Sequence, residues 1–244
     1  MDLVTDVAAS PGTVALGRGD VHGWLVDLDC WPAGRAVLTG DECDRSASYL
    51  RPRDGARFAA SRSAVRVILS GYLGCEPERL RFADDGRGQP RLANHRLQFS
   101  LSRSGAVALL AVSADRVGAD VELVRPRAGL ADLVTARFAA AEAACVAAGC
   151  AGSPTRSFYR HWVAKEAYLK ATGRGLASLR DTEFECDPPV IRFRGTPEPG
   201  WKVSPTEASP GYLAAIVATQ PVTTWRHCRA SPAMGADLVS PQQH

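Results

Sequence analysis

"LQFSLSRSGAVALLAVSADRVGADVELV", residues 97–124, is the stretch on which the fold turns. Its first part breaks around Ser102 to Gly105 into two strands, the second apolar enough to be buried, and "VGADVELV" follows almost at once. Three strand signals joined by short turns predict an antiparallel arrangement. The last strand carries an oddity. Residues i and i+2 of a strand share a face, so Asp120 and Glu122 point one way while Ala119, Val121 and Leu123 point the other. Two like charges side by side are unfavourable unless water screens them or something positive lies between them. A solvated edge strand and a divalent-cation site both meet that condition.

Working outward, "VHGWLVDLD" (21–29) reads as a strand closed by the breaker "WPAG". From Asp54 onward, Phe58, Val65, Ile68, Leu69 and Tyr72 fall on helical spacing and stop at Gly74, where a C′ glycine is expected. Arg57, Arg62 and Arg66 fall mostly off that stripe, as on a solvated helix face. "RFADDGRGQPRLA" reads as turns between short strands. Beyond Pro126 the alanine-rich "GLADLVTARFAAAEAACVAAG" predicts one helix or a pair. "GSPTRSFYRHWVAKEAYLKATGRGL" predicts another, with Ser153 as N-cap, Pro154 in the first helical position and Gly173 at the close. "EFEC", "IRFRG", "WKVSP" and "GYLAAIVA" read as strands, and periodicity is lost after about Thr224. The order predicts an α+β chain of two comparable halves. The expected divisions are a loose leader 1–18, halves 19–115 and 116–223, and a loose tail 224–244.

The 244 residues, 45% of them hydrophobic, can bury a sizeable core. The formal charge of +3, from 29 Lys and Arg against 26 Asp and Glu, is too balanced for a general nucleic-acid binder. Lysine occurs only at Lys165, Lys170 and Lys202. The 7 cysteines are scattered with no C-x-x-C pair, which argues against zinc and against a disulfide framework. The acidic N-terminus and the lack of a span-length apolar run lead to the expectation of a reduced, cytoplasmic protein without a membrane partner.

Phe158, Trp162, Glu166 and Lys170 recur every fourth residue and form one helix ridge. If that ridge crosses the end of the "ADVE" strand, Glu166 joins Asp120 and Glu122 around one point. Three carboxylates in a dry site require a cation. Oxygen ligands without His or Cys favour Mg²⁺, which completes its shell with water and substrate phosphates. Lys170 would then partner a phosphate, and the reaction would involve a pyrophosphate or phosphodiester. An ordinary Glu166–Lys170 ion pair on a surface helix fits the same spacing.

"VGADVE" followed by "FYRHWVAKEAYLKATGRGL" resembles the two signature segments of the surfactin-synthetase-activating, broad-specificity class of 4′-phosphopantetheinyl transferases. Those patterns are G-(I/V/A)-D-(I/V)-E and F-x-x-x-W-x-x-K-E-A-x-x-K-x-x-G-x-G. Weaker likenesses extend over roughly 20–190: "RPRDGARFAASRSAVRVIL" to an early Arg-bearing helix, "GRGQPRL" to a Gly-Lys-Pro turn, and "FSLSRSG" to an Asn-x-Ser-His-Ser-Gly segment. The resemblance implies two similar α/β halves in a pseudo-twofold arrangement, the active site in the cleft between them, and a monomer. It implies transfer of the phosphopantetheine arm of coenzyme A to a serine of an apo acyl or peptidyl carrier protein, with release of adenosine 3′,5′-bisphosphate. A carrier of secondary metabolism, polyketide or nonribosomal peptide, is the expected partner.

Under that resemblance Asp120, Glu122 and Glu166 hold Mg²⁺ on the coenzyme's pyrophosphate. Glu166, or a metal-bound water, takes the proton of the carrier serine. Lys165 and Lys170 sit near the phosphates, Arg57 and Arg45 serve the nucleotide end, and Ser102 hydrogen-bonds coenzyme A. Arg103 stands where the family has histidine and Gln89 where it has lysine, so Arg87 or Arg91 would supply the missing cation. Ser100 replaces the family's Asn. Trp162 and Phe158 read as core supports of the catalytic helix, and His161 as a satisfied polar side chain beside the ridge. Arg125, Arg127 and Arg137 would suit an acidic carrier. Two rival readings stand beside this one. They are a catalytically impaired relative that binds coenzyme A or a carrier, and a metal-dependent nuclease, which would want a basic groove that the chain does not clearly show.

Overall fold

The computed structural model describes residues 14–31, 35–84, 90–93, 95–187, 190–194 and 200–228. Strand β1 (Val21–Asp27) is followed by helices α1 (Gly40–Ala47) and α2 (Pro52–Leu73), the short hairpin β2 (Phe82–Asp84) and β3 (Pro90–Leu92), and then β4 (Gln98–Ser104) and β5 (Val107–Ser113). The chain continues through β6 (Val117–Leu123), α3 (Leu130–Arg137), α4 (Ala140–Ala148) and α5 (Pro154–Thr172). It closes with the hairpin β7 (Phe184–Asp187) and β8 (Val190–Phe193), then β9 (Lys202–Ser209), β10 (Tyr212–Ala218) and β11 (Thr224–Cys228). This is a mixed α+β architecture.

Two sheets carry it, one in the order β11-β1-β5-β4 and one in the order β6-β10-β9. Every residue of β5 is buried, and alternation explains why. Ala108, Leu110 and Val112 pack with Ala64, Val65 and Ile68 of α2. Val107, Leu109 and Ala111 pack with Val117, Ala119 and Val121 of β6 and Ile216 of β10. On its other face β10 sends Ala215 and Val217 against Val163 and Ala167 of α5. Each sheet is therefore covered on both sides, as strands without an alternating pattern require.

The caps follow the chain's own punctuation. Gly74 and Gly173 end α2 and α5 in the left-handed conformation, at φ 60° and 69°. Ser153 Oγ accepts the Arg156 N–H at 3.2 Å, with Pro154 in the first helical position. Helix α1, absent from the sequence reading, opens on a capping box in which Thr39 and Glu42 bond each other's backbone.

Three expectations need correction. The antiparallel connection holds for β4 and β5, but β6 does not pair with β5. It instead opens the second sheet, antiparallel to β10. The stretch expected to be a loose tail begins with β11, which pairs parallel with β1 from His22–Thr224 to Val26–Cys228. Gly23 makes room for it, since a Cβ there would lie 2.7 Å from the Trp225 ring. The chain thus returns to its first sheet after completing its second. Part of the expected leader is also packed, with Val14 and Leu16 against the α2 core and the Val14 N–H bonded to Gly71 O.

Candidate functional site

Gly118 decides how closely α5 lies on β6. A Cβ at that position would sit 1.9 Å from Ala167 O and 2.4 Å from Ala171 N, so only a hydrogen fits between strand and helix. The strand face that bears Gly118 also bears Asp120 and Glu122. Lys170 consequently reaches the strand, and its Nζ donates to Asp120 Oδ1 at 2.6 Å and to Ala119 O at 3.1 Å. Glu166, one turn earlier, shares this environment. Its carboxyl is pushed up to about 7, first by burial and then by the charge of Asp120, with Glu122 adding and Lys170 opposing. Burial, again first, also raises Glu122; the Ser104 hydrogen bond opposes it and Asp120 adds to it. The three carboxylates and Lys170 behave as one electrostatic unit.

From the other side β4 reaches the same group. Ser102 Oγ donates to Asp120 Oδ1 at 2.7 Å, and Ser104 Oγ donates to Glu122 Oε2 at 2.7 Å. Asp120 Oδ2 is buried and has no hydrogen-bond partner among the described residues. Among the described residues, no three His, Cys, Asp or Glu side chains converge as a finished metal site. The donor set nevertheless fits a hard cation, because it offers oxygen ligands only, a buried carboxylate oxygen without a partner among the described residues, and an Asp120 charge that raises both Glu122 and Glu166.

Beside this unit lies a cavity of about 710 Å³ whose lining includes Arg45, Phe58, Arg62, Arg66, Arg103 and Lys170. Arg45 and Arg103 both stack on Phe58, at 5.5 and 5.3 Å from its ring centre. Neither has an acidic partner among the described residues. Arg62 and Arg66, by contrast, are tied to Glu42 at 2.6 and 2.9 Å and lie over Phe82. The solvated face expected for these two is not what forms. Arg66 is 2% exposed and also donates to Pro77 O and Leu80 O. A second cavity of about 610 Å³, with Arg91, His95, Gln98 and Arg116 in its lining, meets Lys170 from another direction.

Arg57 lies outside the lining of the larger cavity and is gripped by Asp29, which accepts from Nε and Nη2, each at 2.7 Å. Arg53 adds a third bond to Asp29 at 2.8 Å. Arg57 first and Arg53 second hold that carboxyl well below the usual range. Arg87 and Gln89 lie outside the described residues.

Lys165 does not join the phosphate-facing group. Being next to Glu166 in the helix, it points to a different side, where its fully buried Nζ meets Glu142 Oε2 at 2.9 Å, Leu179 O at 2.6 Å and Thr182 O at 2.5 Å. Burial lowers its pKa and Glu142 works against that. Glu142 in turn accepts the N–H groups of Ala139 and Phe184, so the pair ties α4, α5 and β7 together. Phe158 is buried between Phe138 and Trp162 in a stack, as a core support should be. His161 is buried, with Nδ1 bonded to Ser157 O and Nε2 without a partner among the described residues, so it is only half satisfied there. Arg125, Arg127 and Arg137 are exposed.

The sequence reading missed Asp29, Glu42, Glu142 and Ser104. For Ser104 a signal exists, since Ser100, Ser102 and Ser104 alternate on β4 as Asp120 and Glu122 do on β6. The others act through long-range contacts that leave no local pattern.

Comparison with known proteins points in one direction. The pattern of the 4′-phosphopantetheinyl transferase superfamily matches residues 116–217, which take in β6, α5 and β10. The chain is 37% identical over 188 residues to the 4′-phosphopantetheinyl transferase HetI of Nostoc sp., covering 73% of this chain and 79% of that one. It is 24% identical over 148 residues to a 4′-phosphopantetheinyl transferase of Bacillus subtilis, covering 60% and 65%. It is 37% identical over 116 residues to the 4′-phosphopantetheinyl transferase AcpT of Salmonella typhimurium, covering 47% and 59%.

Proposed function

The chain belongs to the 4′-phosphopantetheinyl transferase superfamily, and from that membership we propose that it moves the phosphopantetheine arm of coenzyme A to a serine of an apo acyl or peptidyl carrier protein. The observation that carries the proposal is the Lys170–Asp120 contact, with Glu166 close enough to feel the charges of Asp120, Glu122 and Lys170, beside a cation-lined cavity large enough for a nucleotide. In the reaction the carrier serine oxygen attacks the phosphorus attached to pantetheine. The pyrophosphate P–O bond breaks, and adenosine 3′,5′-bisphosphate leaves with the bonding pair.

Each residue has a task in this reading. Asp120, Glu122 and Glu166 would hold Mg²⁺, which when bound draws charge from the pyrophosphate oxygens. Burial and Asp120 raise the Glu166 carboxyl to about 7 before a cation binds; as a ligand of that cation it would ionise more readily, and in that ionised form it would accept the serine proton. Lys170 already bridges Asp120 and the cavity, and donates to the phosphate when substrate arrives. Arg45 and Arg103, free of acids among the described residues and stacked on Phe58, take the phosphates of the nucleotide end. Arg57 keeps Nη1 for the same end while Asp29 holds its other two donor positions. Ser102, expected on the coenzyme, is assigned here to Asp120. We further read the two helix-covered sheets as halves of one plan with the site at their seam, the broad-specificity class with a secondary-metabolism carrier as partner, and a monomer.

Labelling of apo carrier proteins with a fluorescent coenzyme A tests the assignment. Wild type should label and Asp120→Ala and Lys170→Ala should not, while keeping wild-type circular dichroism. Equal labelling by the folded variants would remove these residues from the reaction.

A further inference from the structure

Strands β4 and β6 are edges of two different sheets, yet they lie side by side and run in the same direction. Two such edges would ordinarily meet through a backbone ladder or be kept apart. Here three alternate serines of β4 make the junction. Ser100 Oγ accepts the Ala119 N–H at 3.0 Å, Ser102 Oγ donates to Asp120 Oδ1 at 2.7 Å, and Ser104 Oγ donates to Glu122 Oε2 at 2.7 Å.

Ser104 is engaged twice. Its oxygen also accepts the Leu123 N–H at 3.1 Å, which leaves its own hydrogen directed at Glu122. Each of the two lower rungs grips one oxygen of a carboxylate and leaves the other alone. Asp120 Oδ2 is buried without a partner, and Glu122 Oε1 makes no hydrogen bond among the described residues. A side chain fixed through one oxygen presents the other in a defined direction, which is how outer partners orient metal ligands.

We propose that Ser104 is a positioning residue that sets Glu122 for a divalent cation, with Ser102 doing the same for Asp120, so that the seam between the sheets is also the mount of the site. The inference rests on the functional reading above. Ser100, which bonds backbone only, supplies the internal control. It gives the seam stability without touching either carboxylate.

The test uses the full chain with coenzyme A present and Mn²⁺ as the probe, its binding followed by electron paramagnetic resonance. Ser104→Ala should weaken Mn²⁺ binding about 10-fold and raise the Mg²⁺ concentration for half-maximal transfer by a similar factor. The rate at saturating Mg²⁺ should stay within about twofold, as expected when the ligand survives and only its orientation is lost. Ser104→Thr, which keeps the hydroxyl, should restore binding. Ser100→Ala should lower the unfolding midpoint and leave Mn²⁺ affinity unchanged. Wild-type Mn²⁺ affinity in Ser104→Ala, equal weakening by Ser100→Ala, or a wild-type protein that binds no Mn²⁺ would each overturn the proposal. A wild type that binds Mn²⁺ but labels no carrier would refute the functional reading alone, and the Mn²⁺ comparison would still decide the role of Ser104.

Discussion

Replacing Gly118 with Ala adds one methyl group at a place that touches no substrate, and the geometry makes the consequence calculable. The new Cβ would lie 1.9 Å from Ala167 O. A tolerable carbon–oxygen contact is about 3.3 Å, so α5 must back away from β6 by roughly 1 Å or more. Gly118 sits in an ordinary extended strand, where alanine is conformationally acceptable and gains about 0.4–1 kcal/mol from the unfolded chain. Overpacking costs about 1–3 kcal/mol, leaving a net loss between about 0 and 2.6 kcal/mol. The functional cost should be larger than the structural one. A displacement of about 1 Å at a reacting group can lower the rate about 100-fold, and here it carries Lys170 and Glu166 off Asp120, starting from a contact of 2.6 Å. Urea unfolding followed by circular dichroism measures the first quantity and transfer to an apo carrier measures the second. A variant with wild-type midpoint and wild-type rate would show that the close approach of α5 does not set the site.

Three further outcomes follow from particular groups. In metal-free buffer Glu166 holds its proton up to about 7 in the folded protein, against 4.5 unfolded, so the unfolded state binds fewer protons between these values and stability falls as pH rises through them. That raised pKa corresponds to about 3 kcal/mol at most, reduced by solvent screening at a half-buried carboxylate to about 1–2 kcal/mol. Glu166→Gln should therefore gain that much relative to wild type from pH 4.5 to 8 while losing transfer; a stability difference independent of pH would contradict the assigned burial and repulsion. Arg103→His should add a pH dependence of coenzyme A affinity to that of the wild type, with affinity falling more steeply above about 6.5 where the imidazole loses its charge, as measured by calorimetry on both proteins. Lys165→Met strands the buried Glu142 carboxylate and should cost about 3–5 kcal/mol in urea unfolding, with the Lys165→Met, Glu142→Met pair recovering only part of it, because the Leu179 and Thr182 carbonyls and the Ala139 and Phe184 N–H groups then lose their partners. A mild single variant would mean that water reaches the pair.

Elements that declare themselves within a few residues were legible in the sequence. Helix α5 has its N-cap serine, its proline and its closing glycine in place, and β4, β5 and β6 follow their apolar runs. The ridge of Glu166 and Lys170 and the shared face of Asp120 and Glu122 came from the two periods alone, and the structure brings them together. What escaped depends on distant partners. Strand β11 exists because Gly23 leaves space for Trp225, and "TWRHC" by itself has no strand pattern. Arg66 looked solvent-facing because its acid, Glu42, lies on a helix the local pattern did not reveal. Lys165 and Glu166 are neighbours in sequence, yet a turn of about 100° per residue sends them to different surroundings. Ser102 was expected on the coenzyme, and its 2.7 Å bond to Asp120 is a contact that no local pattern announced.

The most direct measurement is the intact mass of apo carrier proteins incubated with this protein, coenzyme A and Mg²⁺, beside a parallel reaction containing EDTA. A phosphopantetheine mass gain on at least one carrier, abolished by the chelator, is the predicted result. Coenzyme A binding without a mass gain on any carrier would contradict the transferase reading. A gain that survives the chelator would contradict the role given to Asp120, Glu122 and Glu166.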